Sequence, residues 1–416
     1  MLSINKINAT LALLILVGCT GQGRYQTFGG YAQGGVWQVK ANMAGVKVRS
    51  AEVQRSIEAI LEDIDTTLSG YNKGSQLSRL NAGDTIVPSA MLCHMYDRAY
   101  ELWQETDGAL DCAAGPLYNL WGFGFKGGGF PDEKQIAEAL AVSGMGRLVP
   151  RMENAMRDGR LHASWLRLPV TAGNDAVAAV NDVRDAPGND VRNAGSKPVI
   201  ADPIGNLQAK GLPIKPGVTG VVLNFNAVAQ GYSCDTVASY LNKIGVKDML
   251  VDIGEIWCRG FNASGKPWRI GIDRPTDGND TPGADLDGIW ESDGSSSLPA
   301  ATGNLAGQGL VTSGNYRKFF IYEGRKYPHT IDPRTGYPVV SSIKAAQNMD
   351  GGVLLSATIV APTAEAADAY ATYCMVIGLD AARAFIDSRP DLEGYLIYDS
   401  PDGMAEWRSV GFNLFK

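Results

Sequence analysis

YSCDTVASYLNKIGVKDMLVDI, residues 232–253, joins a predicted helix to a predicted strand. The helix covers about 232–244, and the strand is the short apolar run at 249–253. Apolar and other residues then alternate over 268–272, as they do in a half-buried strand, and no helix intervenes. Helices and strands that do not alternate strictly favour an α+β fold over a doubly wound sheet.

Further helices are predicted on both sides of this stretch. One begins near Ser50, one follows Pro88 and one covers 364–377, while strands are expected around 310–322. Apolar residues make up 45% of the chain and charged residues 19%, which is the composition of an ordinary globular protein. We therefore expect one large domain from residue 31 to 416.

Two stretches interrupt this pattern. Residues 162–210 and 276–308 are rich in Asn, Asp, Gly, Ala and Ser and have weak apolar periodicity. We expect both to be loop insertions.

The N-terminus has the pattern of an export signal. Lys6 precedes a short apolar run that ends in Leu-Val-Gly-Cys19, which resembles a bacterial lipobox. Residues 1–18 are thus expected to be a lipoprotein signal peptide, with lipid on Cys19 and a tether over 19–30. This predicts a membrane-anchored protein of the cell envelope that faces the periplasm. Cleavage of a plain signal peptide, with Cys19 incidental, is the alternative.

Charge and cysteine content exclude some classes of function. The net charge is −7 without a long basic run, which argues against nucleic acid as a partner. The cysteines other than Cys19 are odd in number, scattered, and never spaced as CxxC. This distribution favours buried packing residues over a disulfide framework or a thiolate metal site.

Two segments have the composition of ligand-binding loops. Residues 111–124 combine glycines, which allow close approach of a ligand to the backbone, with the aromatic rings of Trp121 and Phe123. A glycine-rich turn packed with core aromatics is the alternative. Residues 223–235 join a strand to a helix through small residues, and such a helix start binds phosphate well, although an ordinary helix start fits too.

Two other segments carry groups suited to catalysis. His329 lies among prolines and polar residues, which makes it the best general-base candidate, although a lone histidine is often structural. Asp368 and Thr372 are four residues apart on a predicted helix, so their oxygens share one face. These oxygens suit Mg²⁺. A solvated aspartate and a threonine that bonds back to its own helix are the alternative.

Together, these segments resemble the FAD:protein FMN transferases, the ApbE family. The resemblance covers nearly the whole mature chain apart from the two loops. It is carried by five segments in the family's order: 115–124, 229–232, 312–314, 329–336 and 368–372.

The resemblance implies an α+β fold, FAD as substrate, Mg²⁺, and FMN transfer to a Ser or Thr hydroxyl of an acceptor protein. It further implies an acceptor that is a membrane redox subunit outside the cytoplasm. Asp368, Thr372 and the Ala227 carbonyl correspond to the magnesium ligands. The positions that correspond to FAD contacts are Gln33, Tyr71, Trp121, Gly122, Phe123, Asn224, Gln230 and Ile331.

Two of these positions depart from the common pattern. Many members have Asp at the position of Asn224, and Lys or Glu at the position of Gln230. An amide still forms hydrogen bonds, but it lacks the charge. If water replaces the acceptor hydroxyl, the same site is an FAD pyrophosphatase that gives FMN and AMP. The third possibility is a flavin-binding lipoprotein without catalysis.

Overall fold

The computed structural model describes residues 24–84, 86–148, 220–294, 306–339 and 352–416. The predicted signal peptide, Cys19 and the loop at 162–210 lie outside these residues.

The helices and strands alternate irregularly along the chain. The helices are α1 (Ser50–Leu68), α2 (Gln76–Asn81), α3 (Ala90–Glu105), α4 (Gly115–Leu120), α5 (Glu133–Val142), α6 (Ala229–Lys243), α7 (Ala364–Ile377) and α8 (Leu379–Asp387). The strands are β1 (Tyr25–Ala32), β2 (Gly35–Asn42), β3 (Met249–Asp252), β4 (Ile256–Arg259), β5 (Arg269–Asp273), β6 (Leu286–Glu291), β7 (Gln308–Gly314), β8 (Phe319–Tyr322), β9 (Arg325–Pro328), β10 (Ile331–Asp332), β11 (Tyr337–Pro338), β12 (Val353–Ala361), β13 (Glu393–Ser400), β14 (Gly403–Arg408) and β15 (Leu414–Phe415).

An eight-stranded antiparallel sheet organises the described residues. Its strand order is β1-β2-β3-β4-β7-β12-β13-β14, so β7 and β12 lie in its interior although they are distant in sequence from β1 to β4. A second sheet, in the order β15-β6-β5, has three strands. The α+β prediction is confirmed.

Both faces of the large sheet are covered, which explains why the strand β3 is an unbroken apolar run from Met249 to Val251. Met249 and Val251 of β3 pack in the core that contains the helices, whereas Leu250 packs with Trp268 and Trp290 of the three-stranded sheet region. Successive strand side chains point to opposite faces, so a strand between two apolar layers has no polar side.

The expected tether at 19–30 is wrong from Tyr25 onward. Residues 25–32 form β1, which pairs antiparallel with β2 along its whole length. Glycine at position 30 made the segment look like a linker, but a Cβ there would lie 2.8 Å from Nε1 of Trp37. The glycine therefore leaves room for a buried tryptophan on the paired strand.

The expected loop at 276–308 also needs correction. Leu286–Glu291 form β6, which pairs with β5 and β15 and buries Trp290. The strand is short, and its partners lie on both sides of it in sequence, so local composition does not reveal it. Residues 295–305 lie outside the described part of the chain.

The cysteines of the described residues lie inside the protein. Cys93, Cys112, Cys234, Cys258 and Cys374 are all buried and free, as a packing role requires. Among the described helices, none has both the length and the apolar character needed to span a bilayer.

Candidate active site

Asp368 is a buried carboxylate on α7, with only 5% of its surface exposed. Its Oδ2 accepts a hydrogen bond from the N–H of Gly231 at 3.1 Å, and among the described residues it has no ion pair. Burial raises the pKa of Asp368 above its usual range, and the neighbouring Glu365 raises it further. A buried carboxylate without a cationic partner is a suitable ligand for a metal ion.

The Gly231 bond changes how α6 begins. In an uninterrupted helix the Gly231 N–H would donate to the carbonyl of Ala227, four residues earlier. Here it donates to Asp368 instead, and the Ala227 carbonyl accepts no hydrogen bond from the described residues. Asp368 is thus bound to the first turn of α6, at which the Ala227 carbonyl is left without a donor among the described residues.

Thr372 supplies a hydroxyl one turn further along α7. Its Oγ1 lies 3.3 Å from Oγ of Ser313, at the end of β7. The next residue back on that strand, Thr312, has its hydroxyl 2.8 Å from that of Thr358 on β12. Successive strand side chains point to opposite faces, so the Thr312–Thr358 pair lies on the face of the sheet away from α7, and Ser313 is the residue through which the end of β7 contacts Thr372.

The chemistry of these oxygens suits Mg²⁺. A carboxylate, a carbonyl and a hydroxyl are hard ligands of the kind that Mg²⁺ prefers, and Mg²⁺ usually completes its shell with water and substrate phosphates. Within the described residues, no group of three or more His, Cys, Asp or Glu side chains could hold a metal ion alone. The donor set of Ala227, Asp368 and Thr372 fits an ion shared with a phosphate-bearing substrate.

Three of the expected FAD contacts lie around the start of α6, and a fourth, Asn224, lies in the turn before it. Gln33, at the tip of the β1–β2 hairpin, donates from Nε2 to Ser233 Oγ at 2.6 Å. The Gln230 side chain lies 3.5 Å from the Ile253 carbonyl. Tyr71 is 63% exposed, and its hydroxyl lies 3.4 Å from the Asn226 amide.

Asn224 shapes the turn that precedes α6. Its Oδ1 accepts from the Asn226 N–H at 2.9 Å, and its own N–H donates to the Cys112 carbonyl at 2.7 Å. The turn ends at the Ala227 carbonyl. An amide oxygen can fill this local role as well as a carboxylate oxygen.

The helix start at 223–235, where phosphate binding was expected, has one N–H group already engaged. The Gly231 N–H donates to Asp368. The Gln230 N–H has no acceptor among the described residues and remains available. The carboxylate competes successfully for an amide because hydrogen bonds to charged acceptors are the stronger ones.

The expectation that Trp121 offers a ring face for stacking is also wrong. The ring is 2% exposed and lies near-parallel to Phe320 and Tyr327, with centroid distances of 6.1 and 5.9 Å. Its Nε1 donates to the Gly336 carbonyl at 2.8 Å. Trp121 is thus a core residue of this region, together with the buried Ile331.

Gly122 and Phe123 lie at the edge of that aromatic cluster. Gly122 is exposed with φ +81°, a left-handed conformation that glycine adopts readily. Phe123 is half-buried, with one face on Phe320 at 5.2 Å and an edge contact to His329 at 6.3 Å. Both remain candidates for contact with FAD.

His329 is half-buried and held by the backbone. Its Nδ1 lies 3.2 Å from the Lys318 carbonyl, which can only accept, so Nδ1 carries the hydrogen and Nε2 has the free lone pair. Burial and the neighbouring Lys318 lower the pKa of His329 to about 4. The ring is therefore neutral near pH 7 and able to accept a proton.

The end of β7 connects the two halves of the site. Ser313 contacts Thr372, and two residues later Asn315 Oδ1 accepts from Thr330 Oγ1 at 2.8 Å, next to His329. Two residues of strand span roughly 7 Å. One short segment therefore joins the proposed metal-binding oxygens to the candidate base. The sequence alone assigned no role to Ser313 or Asn315 in that segment.

The chain is similar to a known protein family and to curated members of that family. The ApbE family model matches residues 34–169 and 194–396. The FAD:protein FMN transferase of Salmonella typhimurium is 28% identical over 415 residues, covering 97% of this chain and 95% of that protein. The enzyme of the same name from Haemophilus influenzae is also 28% identical, covering 98% of this chain and 96% of its own.

Solved structures agree with the fold. The flavin transferase ApbE from Vibrio cholerae superposes with a TM-score of 0.63 at 24% identity, covering 93% of this chain and 98% of that chain. The flavinyl transferase ApbE of Pseudomonas stutzeri gives 0.64 at 24% identity, covering 93% and 95%. The family model matches most of the chain, and the resemblance seen in the sequence is thereby confirmed: this protein belongs to the ApbE family.

Proposed function

We propose that this protein transfers FMN from FAD to a Ser or Thr hydroxyl of an acceptor protein, with Mg²⁺, and releases AMP. The observation that carries the proposal is the buried Asp368 carboxylate, which is bound to the helix start where the Ala227 carbonyl lacks a donor and lies one turn before the Thr372 hydroxyl on α7. Simple flavin binding does not require such a set of cation ligands. The names of the full-length relatives support the same reaction.

The start of α6 and the facing side of α7 bind the pyrophosphate of FAD in this proposal. The Gln230 N–H points its dipole toward phosphate oxygens at a helix N-terminus. Asp368, Thr372 and the Ala227 carbonyl would hold Mg²⁺, and the bound ion would supply charge neutralisation for the leaving phosphate. Gln33, Tyr71 and Asn224 lie around the same helix start and orient the nucleotide in this proposal.

The reaction exchanges one phosphorus–oxygen bond for another. The acceptor hydroxyl attacks the phosphorus next to the ribityl chain, and the bond to the AMP phosphate breaks. His329 Nε2 takes the hydroxyl proton, because its lone pair is free and the ring is neutral at pH 7. A pKa of about 4 makes it a weak base, so positioning and charge neutralisation carry most of the rate enhancement.

We propose further that the chain acts at the outer face of a membrane, attached by lipid on Cys19, with a membrane redox subunit as acceptor. The lipobox-like sequence before Cys19 supports the anchor. An anchored enzyme meets a membrane-bound acceptor at high effective concentration.

Incubation of the protein with FAD, Mg²⁺ and a candidate acceptor tests the proposed function. Mass spectrometry should detect FMN bound covalently to a Ser or Thr of the acceptor. Acceptor that stays unmodified while FAD is consumed would instead indicate hydrolysis.

A further inference from the structure

Asp235 caps a helix to which it does not belong. It lies on α6, one turn after Gly231, and its two carboxylate oxygens accept from the N–H groups of Ala364 and Glu365, both at 2.9 Å. Those amides lie in the first turn of α7, where a helix has no acceptors of its own. The carboxylate also suits the positive end of the helix dipole.

A second contact runs in the opposite direction one turn away. The Gly231 N–H of α6 donates to the Asp368 carboxylate of α7. The two helices are thus joined by reciprocal bonds, in which an aspartate of each accepts from the first turn of the other. They approach closely here, because a Cβ on Gly231 would lie 2.3 Å from the Ala364 carbonyl oxygen.

The oxygens proposed to hold Mg²⁺ come from both of these helices. Ala227 immediately precedes α6, whereas Asp368 and Thr372 lie on α7. Mg²⁺ requires near-octahedral geometry with oxygens at about 2.0–2.1 Å. A small shift of α7 against α6 therefore separates the ligands, even if each helix remains intact.

We propose that Asp235 is a positioning residue for this metal site, which holds α7 in register with α6 so that Asp368 meets the Ala227 carbonyl. The inference rests on the proposed function, because it concerns the magnesium site proposed there. Asp235 itself does not touch the ion. Residues that orient metal ligands typically change metal affinity by 10- to 100-fold when they are replaced.

A neighbouring residue provides a matched control. Thr363 is the N-cap of α7, and its Oγ1 accepts from the Ala366 N–H at 3.1 Å. It caps the same turn as Asp235 does, but it belongs to the strand-to-helix connection and not to α6. Loss of this cap weakens the helix start without removing the link between α6 and α7.

The experiment measures Mn²⁺ affinity in the full chain saturated with FAD, by electron paramagnetic resonance of free Mn²⁺, together with the unfolding midpoint. Asp235→Ala should weaken Mn²⁺ binding by about tenfold or more. Asp235→Asn keeps one acceptor oxygen and should lose less. Thr363→Ala should lower the unfolding midpoint but leave Mn²⁺ affinity within about twofold of wild type, because it spares the link.

Three results would overturn the inference. Wild-type Mn²⁺ affinity in Asp235→Ala would show that the link does not position the ligands. If the alanine variant fails to fold, wild-type Mn²⁺ affinity in Asp235→Asn would show the same. Thr363→Ala that weakens binding as much as Asp235→Ala would attribute the effect to fraying of α7. A wild-type protein that binds no Mn²⁺ would refute the magnesium site itself, which separates that failure from the other two.

Discussion

Two buried aspartates show how hydrogen bonding distinguishes a structural carboxylate from a candidate ligand. Asp111 accepts from the N–H groups of Ala113 and Met145, at 2.8 and 3.0 Å, so its oxygens are occupied by the backbone. Asp368 accepts only from Gly231 among the described residues. Both are buried, but only Asp368 keeps an oxygen for another partner.

Replacement of Asp368 by alanine should lower FMN transfer by orders of magnitude, because it removes the one charged ligand proposed for Mg²⁺. Transfer by the wild type should stop on chelation and return with added Mg²⁺. Acceptor flavinylation rates over a range of Mg²⁺ concentrations provide the measurement. Asp380→Ala is the control, since that side chain is 77% exposed on α8 and should leave the rate unchanged. Wild-type turnover of Asp368→Ala at low Mg²⁺ would refute the assignment.

The histidines predict opposite effects of pH on stability. The pKa of His329 is lowered to about 4 in the folded protein. As pH falls, the histidine therefore takes up a proton in the unfolded chain before it does so in the folded protein. The stability that the neutral ring contributes is lost between about pH 6.5 and pH 4. The pKa of His94 is raised, mainly by its hydrogen bond to Glu365, so its contribution is present at low pH and is lost as pH rises.

The relevant quantity is the unfolding free energy at pH 7 minus that at pH 5. His329→Gln should make this difference smaller than in wild type, and His94→Gln should make it larger. Urea denaturation of both variants and wild type at the two pH values measures these differences. Changes of the same sign in the two variants would contradict the assigned environments.

At the scale of elements, the site depends on glycine where helices meet other elements. A Cβ on Gly231 would lie 2.3 Å from the Ala364 carbonyl, and one on Gly309 of β7 would lie 2.5 Å from the Ala364 Cα. Both glycines let the first turn of α7 lie directly against its neighbours. Asp368 projects from the next turn of this helix and is placed by the same contacts.

Gly231→Ala should destabilise the fold by roughly 1–3 kcal/mol, the usual cost of overpacking, and should weaken metal binding because α6 and α7 must separate. Thermal unfolding and Mn²⁺ titration measure the two effects. Gly129→Ala is a suitable comparison, since nothing lies within 4 Å of a Cβ at that position. Equal behaviour of the two variants would mean that the helices do not need this close approach.

Elements with local signals were predictable from the sequence. The helix expected at 364–377 is found at Ala364–Ile377, and the one expected from Ser50 is found at Ser50–Leu68. Amphipathic spacing marks α1, whereas Pro362 and Thr363 mark the start of α7. These signals are contained within the elements themselves.

The errors arose where distant segments decide the structure. Strand β1 looks like a linker until it pairs with β2, whose Trp37 requires Gly30. The Trp121 ring looks available until it is covered by Phe320 and Tyr327, some two hundred residues later. The sequence motifs indicated which residues are candidates for the site. The contacts of Asp235 with α7 and of Ser313 with Thr372 depend on tertiary packing, so the sequence did not indicate them.

At the scale of the whole molecule, the site is assembled from widely separated segments. Hairpin β1–β2 supplies Gln33, α6 and its preceding turn supply Ala227 and Gln230, and α7 supplies Asp368. The large sheet brings these segments together, because β2 lies at one side and β7 and β12 in its interior. Loss of the sheet would therefore remove the whole site at once.

The proposed lipid anchor at the N-terminus would place this site at a membrane. Cys19→Ser should shift the protein from the membrane fraction to the soluble periplasmic fraction, because lipid on Cys19 is the proposed anchor. Cell fractionation and immunoblotting measure the distribution, and Cys93→Ser, a buried cysteine of α3, is the comparison. A Cys19→Ser protein that remains with the membrane would contradict the lipid anchor.

The central claim is transfer of FMN rather than hydrolysis of FAD, and the two outcomes differ in what reaches the phosphorus. The most direct measurement quantifies AMP and covalent FMN in the same reaction, with and without an acceptor peptide. The account predicts slow AMP release without acceptor, faster release with it, and one FMN on the acceptor for each AMP. Fast AMP release that is unchanged by acceptor, with no flavin on the peptide, would contradict it.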